Sequence, residues 1–410
     1  MRGVPRAGWV KPATDQRLSD HISIGVLTRV FPPELVDRVV AQAGRGEQRQ
    51  RLLPARVVVY YVLGLALYSS SSYEEVSRML VDGLSWASGW RSPWSVPTKG
   101  ALAQARSRLG SEPLRALFEQ VAVPLATSET VGALYRDLRV VSIDGTCIDV
   151  ADSPANEERF GRPGSGRGQG VGGFPQLRLV GLAECGTHAI TRVVLGPYTS
   201  SELALADELW GSLGAGMLCL ADRNFYSFER FQKARSTGAQ LLWRVKSDIG
   251  LPREQTLADG SYLTSIYALK HRKAKRDGAR GRVIEYELDD PGRGANDTRY
   301  RLLTTILDPE RAPAEELAPL YAQRWEFEGA LDELKVHQRG PRVALRSKTP
   351  DGVIQEMYGY LCVHYAIRWL MHAIAIEAGH DPDRLSFTRT LRAARRTTAS
   401  HAGFSPRSTQ

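Results

Sequence analysis

The apolar run from Met217 to Ala221 ends directly at an aspartate, Asp222. Five consecutive apolar residues that stop at a charged residue are typical of a strand buried on both faces of a sheet. Such a strand needs helices on both sides of the sheet, so the run predicts an α/β core. Asp222 is then expected at the carboxyl end of a central strand.

The segments around this run follow a definite order. A β-prone stretch carries Asp144, and the two strand-like runs after it are joined by a tight turn at 184–187. Three strands followed by alternating helices and strands is the order of a ribonuclease-H-like (retroviral-integrase-like) core. That core places its first acid on the first strand and its second at the end of the fourth. The predicted elements are strands at 139–150, 177–183 and 189–195, a helix at 200–213, a strand at 217–221, a helix at 225–235 and a strand at 239–245.

Changes in composition along the chain divide it into five predicted parts. Residues 1–130 form an all-helical N-terminal domain, and residues 131–245 form the first part of the core. A β-rich insertion (246–300), the second part of the core with a long helix (301–378), and a basic tail (379–410) follow.

The N-terminal helices have two interpretations. One helix begins after Thr98 and carries Lys99, Arg106 and Arg108, which is compatible with a helix-turn-helix DNA reader. A helical packing domain with solvated charges fits the same pattern. Sequence alone does not choose between them.

Overall charge favours a polyanionic partner without establishing one. Lys and Arg number 54 against 45 Asp and Glu, a formal net charge of +9. The four cysteines lie far apart, which argues against a zinc site and against a disulfide framework. The apolar stretch at 57–68 is shorter than the ~20 residues that a membrane span needs, and no signal segment precedes it. We therefore expect a cytoplasmic protein with no membrane contact.

Polar groups gather on one face of the predicted helix near Tyr321. At 100° per residue, Tyr321, Arg324, Glu328 and Lys335 fall within an arc of about 60°. Asp332 lies on the same face, so helix geometry alone leaves the choice between Glu328 and Asp332 open. Glu326 and Glu333 fall on the opposite side.

This combination of acids suits phosphodiester chemistry. Two Mg²⁺ ions about 4 Å apart can clamp the attacking and leaving oxygens of a phosphodiester. Mg²⁺ prefers oxygen ligands, which two acids at adjacent strand ends and a third on a facing helix would supply. A neighbouring cation such as Arg324 or Lys335 would hold a substrate phosphate.

Four residues of this helix and two aspartate motifs carry a resemblance to a known family. Tyr321-x2-Arg324-x3-Glu328-x6-Lys335 resembles the Y-R-E-K signature of the IS4-type insertion-sequence transposases. The segments 142–146 (Ser-Ile-Asp-Gly-Thr) and 220–225 (Leu-Ala-Asp-Arg-Asn-Phe) resemble the family's two aspartate motifs. The spacings, 222 − 144 = 78 and 328 − 222 = 106, leave room for the insertion that the family carries before its catalytic helix.

The resemblance implies a DNA transposase. Asp144, Asp222 and Glu328 would bind two Mg²⁺ ions, for which Mn²⁺ can substitute, which selects Glu328 over Asp332. Tyr321, Arg324 and Lys335 would contact DNA phosphates. The partners would be double-stranded DNA (terminal inverted repeats and target) and further copies of the chain, as a homodimer or higher assembly at the bacterial nucleoid.

Two alternatives come from other classes of protein. A metal-dependent nuclease of the same fold would cut DNA and never join ends. A catalytically silent DNA-binding repressor would bind ends without cutting them. The three intact acids argue against the second alternative.

Overall fold

One mixed sheet runs through the protein. The computed structural model describes residues 26–46, 53–87, 97–164, 173–271, 273–287 and 299–400. Within these residues, ten strands join in the order β4-β3-β2-β5-β6-β10-β9-β8-β7, and β1 pairs with β2. The strands are β1 (Leu134–Tyr135), β2 (Leu138–Asp149), β3 (Gln176–Glu184), β4 (Ala189–Pro197), β5 (Met217–Ala221), β6 (Gln240–Arg244), β7 (Gln255–Thr256), β8 (Tyr262–Ile266), β9 (Ala279–Glu287) and β10 (Arg299–Thr304).

Helices cover the sheet and continue beyond it. Several of them begin with a side-chain cap, as at Ser153, Ser201, Ser227 and Thr349, whose hydroxyls accept a hydrogen bond from a backbone N–H of the first turn. The helices are α1 (Val26–Val30), α2 (Pro33–Gln42), α3 (Ala55–Leu67), α4 (Tyr73–Ala87), α5 (Lys99–Leu109), α6 (Glu112–Val121), α7 (Pro154–Phe160), α8 (Glu202–Leu209), α9 (Phe228–Arg235), α10 (Ala314–Leu320), α11 (Trp325–Asp332), α12 (Pro350–Ala378) and α13 (Phe387–Ser400).

The centre of the sheet brings two aspartates together. β2 is antiparallel to β3 and parallel to β5, with Ile143 opposite Ala221. Because β2 and β5 are parallel and in this register, the next residues, Asp144 and Asp222, lie side by side where β5 ends, while β2 continues to Asp149. The last four residues of β5 are buried, as expected for a strand covered on both faces. The strands and helices predicted from residue 139 to residue 245 are confirmed, with ends shifted by a few residues, and the structure adds α7, which was not predicted, between β2 and β3.

The segment predicted as a β-rich insertion extends this same sheet. β9 pairs with β10, and β10 pairs with β6 of the core, all antiparallel. β8 and β7 then continue the sheet at its far edge. The insertion and the core are therefore joined by continuous backbone hydrogen bonding.

A long buried helix, α12, ties the N-terminal helices to the sheet. α3 and α6 pack against it, and one apolar core includes Phe31, Leu63, Phe118, Leu179 and Leu361. The predicted boundary at residue 130 stays a prediction, although one apolar core spans it.

Arg106, part of the predicted basic face, is used in this packing. Its guanidinium donates to Gln355 Oε1 (2.8 Å) and to Ser347 Oγ (3.0 Å). The amide of Gln355 in turn donates to the Gly110 carbonyl that ends α5 (2.6 Å). Lys99 remains at the surface beside Glu74. Arg106 is thus committed to the contact between α5 and α12.

The predicted basic tail needs a correction. Residues 379–410 are not simply a tail, because α13 covers 387–400 and its Leu391 and Ala394 are buried. Arg395 donates to the carbonyl of Leu67 (2.7 Å), so α13 closes over the end of α3. Residues 401–410 lie outside the described part of the chain. No helix of the described residues combines the length and the apolar character that a membrane crossing requires.

Candidate active site

The three predicted acids line one cleft at the carboxyl end of β5, beside the middle of β2. Its volume is about 430 Å³, and it is open to solvent on one side. Asp144 and Asp222 come from the sheet, and Glu328 comes from α11 across the cleft. The lining residues are Asp144, Glu202, Asp222, Arg223, Asn224, Phe225, Arg244, Tyr300, Arg324, Trp325 and Glu328.

The helix that carries Glu328 is less regular than predicted. In place of one long α-helix, α10 is followed by a 3-10 turn (Tyr321–Arg324), then α11, then a π-helical turn (Glu333–Gln338). Pro319, inside α10, offers no backbone N–H, which removes one helical hydrogen bond just before the 3-10 turn. The prediction placed side chains around the helix at 100° per residue, and this spacing does not apply to Lys335, which lies in the π-helical turn. It holds for Arg324 and Glu328, which are four residues apart and in contact.

Arg324 lies between two of the acids. Its Nη1 is 3.3 Å from Asp144 Oδ2 and 3.3 Å from Glu328 Oε1. The side chain is buried, and its guanidinium stacks 4.2 Å from the ring of the half-exposed Trp325. The two carboxylates compensate the buried charge of Arg324. The guanidinium therefore links Asp144, on the sheet side of the cleft, with Glu328, on the helix side.

The pKa of Asp144 is raised above the ordinary value of an aspartate. Burial raises the pKa of Asp144 to about 6, against the lowering effects of the Gly145 N–H and of Arg324. The negative charges of Glu202 and Glu328 raise it further. The positive charge close to Asp144 is thus too small to offset its burial, and an additional cation would favour the ionised form.

The two other signature residues make contacts with the strands. Lys335 Nζ donates to Thr146 Oγ1 of β2 (2.7 Å). Tyr321 is buried, and its hydroxyl donates to the carbonyl of Ala221 (3.2 Å), the residue before Asp222. The predicted phosphate contact of Tyr321 would require that this hydrogen bond be exchanged. In this structure Tyr321 supports the end of β5.

The structure distinguishes Glu328 from Asp332, between which helix geometry alone could not choose. Asp332 is exposed and pairs with His337 (3.3 Å), and it does not line the cleft, whereas Glu328 does. Glu326 and Glu333 face away from the cleft, as predicted: Glu326 accepts a hydrogen bond from the Gly186 N–H, and Glu333 binds Arg368.

Sequence reasoning missed three cleft residues, Glu202, Arg244 and Tyr300. Arg244 ends β6, and the pairing of Ala221 with Trp243 places it beside Asp222. Because the carboxyl ends of parallel strands share an edge, the end of the apolar run at 241–243 was a usable signal for Arg244. Its guanidinium stacks 3.9 Å from the Tyr300 ring. Nothing local in the sequence marks Glu202.

A second polar group lies behind α11. His188, Glu326 and Asp383 have ligand atoms within 4.8 Å of one another, close enough to share a cation. However, Arg368 donates to His188 Nδ1, so Nε2 carries the proton of the neutral ring, and Nε2 lies 3.2 Å from Asp383 Oδ1. Both ring nitrogens of His188 therefore already contact side chains of the protein. The members of the group are remote in sequence, which is why no spacing pattern indicated it.

Comparison with known proteins identifies the family of this chain. Residues 21–119 match the family described as insertion element 4 transposase N-terminal, and residues 135–365, more than half of the chain, match the transposase DDE domain. The matched core defines a DNA transposase. The chain belongs to the DDE transposase family, and its type is that of insertion element IS4.

Two relatives in Escherichia coli support the assignment. The chain is 29% identical over 377 residues to "Transposase InsG for insertion sequence element IS4" of Escherichia coli (strain K12), covering 91% of this chain and 83% of that protein. It is 24% identical over 230 residues to "Putative transposase InsZ" of the same strain, covering 56% and 74%. A piggyBac transposase synaptic complex with hairpin DNA aligns with 94% of this chain and 82% of its own, at 11% identity and a TM-score of 0.47.

Proposed function

We propose that this transposase cuts insertion-sequence ends and joins them to target DNA by two-metal-ion hydrolysis and transesterification, with Asp144, Asp222 and Glu328 as the metal ligands. The observation that supports the proposal is the meeting of these three acids in a single cleft, Asp144 from the middle of β2, Asp222 from the end of β5 and Glu328 from α11. The order and pairing of β2 to β6 support a ribonuclease-H-like core.

The donor set suits Mg²⁺, with Mn²⁺ able to substitute. DDE transposase domains generally depend on divalent metal ions, and the cleft offers carboxylate oxygens, the ligands that these hard cations prefer. Within the described part of the chain, no hydrogen bond or ion pair to the Asp222 side chain is found. A half-buried carboxylate without a partner, beside Asp144 with its raised pKa, favours a cation.

The chain's own residues would orient the DNA strand. When bound, the two cations activate the attacking oxygen and stabilise the leaving oxygen. Arg324 is placed to exchange one of its two carboxylate contacts for a phosphate oxygen, and Lys335 to bind a neighbouring phosphate from the edge of β2. Tyr321 would keep Asp222 in position through the Ala221 carbonyl. These roles are proposed for the transition state, in which charge develops on the phosphate.

The DNA partners follow from the same proposal. The helices before residue 130 would bind terminal inverted repeats, and the cleft would receive the cut end and then target DNA. The +9 net charge favours such a partner. Catalysis would take place in a homodimer or higher assembly that pairs two ends, in the bacterial cytoplasm at the nucleoid.

A cleavage and strand-transfer assay tests the proposal. Purified protein is incubated with Mg²⁺ and a duplex carrying the element's own end, and nicked and joined products are separated on denaturing gels. Metal-dependent nicking followed by joining is expected. Cleavage without joining would indicate the nuclease alternative, and end binding without cleavage would indicate the silent repressor.

Lys335→Met should lower the cleavage rate about a hundredfold with a smaller effect on end binding, because one positively charged donor to the phosphate is lost. Lys348→Met is the matched control, since Lys348 is exposed and does not line the cleft. Single-turnover cleavage and gel-shift titration measure the two effects. Equal losses in binding and cleavage would assign Lys335 to general DNA affinity.

A further inference from the structure

A fourth carboxylate, Glu202, lies in the same cleft without a partner. It is half-buried and lines the cleft with Asp144 and Asp222. Within the described residues, no hydrogen bond or ion pair to its side chain is found. Burial raises its pKa, the charge of Arg178 opposes this, and the charge of Asp222 adds to it. Arg178 itself is held at a distance by Tyr198, to whose carbonyl it donates (3.3 Å).

The position of Glu202 is fixed by its helix. It is the first residue of α8, whose preceding Ser201 caps the helix by accepting from the Ala204 N–H (3.1 Å). The buried side chains of Leu205 and Leu209 hold α8 against β3 and β4. The carboxylate therefore does not swing freely from a loop.

A glycine makes room for this carboxylate beside the first metal ligand. A Cβ at Gly145 would lie 2.3 Å from Glu202 Oε1 and 3.1 Å from the Leu179 carbonyl. Gly145 directly follows Asp144, so Glu202 Oε1 approaches the backbone next to that ligand. Any larger residue at position 145 would displace Glu202.

The acids of the cleft differ in their contacts with Arg324. Its guanidinium pairs with Asp144 and Glu328, and its charge also interacts with that of Asp222. The charge of Glu202 raises the pKa of Asp144, and the charge of Asp222 raises the pKa of Glu202. No described side chain forms a hydrogen bond or ion pair with the carboxylate of Asp222 or Glu202, and carboxylate oxygens are the ligands that a divalent ion prefers.

We propose that Glu202 is a fourth carboxylate ligand of the divalent-cation site, on the side of the cleft formed by Asp144 and Asp222. This inference rests on the proposed function, because it assigns a further ligand to the same metal site. Glu202 would add a carboxylate oxygen to the ligands of the site and would help to hold a cation when the DNA strand is exchanged.

Mn²⁺ binding without DNA tests the assignment directly. Isothermal titration calorimetry of Glu202→Gln should show at least about tenfold weaker Mn²⁺ binding than wild type, because even the loss of a residue that only supports a metal ligand lowers affinity by about 10–100-fold. Electron spin echo measurements in D₂O should show additional water on the Mn²⁺ ion, which a long-range charge effect would not produce. Glu208→Gln, on the same helix, exposed and outside the cleft, is the matched control and should bind as wild type.

Two further variants keep the result interpretable. Gly145→Ala retains the Glu202 charge but displaces the carboxylate, so it should also weaken Mn²⁺ binding. Asp222→Asn is the reference for the metal site as a whole. Wild-type Mn²⁺ affinity in Glu202→Gln and Gly145→Ala, with affinity lost in Asp222→Asn, would overturn the role of Glu202 alone. Wild-type affinity in Asp222→Asn would overturn the proposed metal site itself.

Discussion

Glu328→Gln is expected to abolish DNA cleavage, with a fall in rate of about a thousandfold or more. Removing one charged ligand weakens metal binding and the stabilisation of charge on the reacting phosphate, which is worth several kcal/mol, and each 1.36 kcal/mol is a factor of ten in rate. End binding should change little, because Glu328 is half-exposed and the substitution keeps the shape of the side chain. Single-turnover cleavage with saturating Mg²⁺ measures the effect.

Asp332→Asn is the matched control on the same helix. Both acids fall on one face of the predicted helix, and the structure places only Glu328 in the cleft, with Asp332 at the surface beside His337. Asp332→Asn should therefore cleave at nearly the wild-type rate. Loss of cleavage in Asp332→Asn with activity retained in Glu328→Gln would reverse the assignment.

The sequence predicted an element of the fold where its pattern of apolar and polar residues matches its burial in the structure. The run at 217–221 is apolar throughout because β5 is covered on both faces, and its end at Asp222 marks the edge of the sheet. Alternation and turn chemistry likewise indicated the β3–β4 hairpin. The structure of α13 was not predicted, because its buried Leu391 and Ala394 are sparse among charged residues.

Features of the site that depend on contacts between remote residues were beyond sequence patterns. Glu202 reaches the cleft only because α8 folds over the sheet beside Gly145. Arg324 was expected near Glu328 from helix spacing, but its contact with Asp144 is tertiary. Periodicity did not predict the π-helical turn, whose first residue, Glu333, is bound by Arg368 of α12.

A buried network of ion pairs and hydrogen bonds surrounds Glu333, on the side of α11 that faces away from the cleft. Arg368 of α12 donates to both carboxylate oxygens of Glu333, one at 2.8 Å from its Nε, and also to His188 Nδ1. His364 Nε2 lies 3.1 Å from the same carboxylate and stacks on Phe387. Arg368 and His364 are buried. The network therefore binds the first residue of the turn that carries Lys335, on the side of the helix opposite to the cleft.

Arg368→Met should lower the free energy of unfolding by about 3–5 kcal/mol, because it leaves Glu333 as a buried charge without its cation. Urea unfolding at pH 7 measures the loss. Arg389→Met, at an exposed position of α13, should change it little. The double variant Arg368→Met/Glu333→Gln should recover part of the loss, since the unpaired charge is then removed as well. A double variant less stable than Arg368→Met would contradict this account.

The same network predicts how stability depends on pH. Glu333 is desolvated, but Arg368, His188 and His364 outweigh the burial and hold the pKa of Glu333 well below its usual range. A glutamate in the unfolded chain has a pKa of about 4.3, so the folded state binds this proton less readily. The stabilisation is therefore complete above about pH 5 and is lost as the pH falls below the unfolded value. Because Arg368→Met removes the main cause of the lowering, its stability should fall less steeply with acid than that of the wild type over this range.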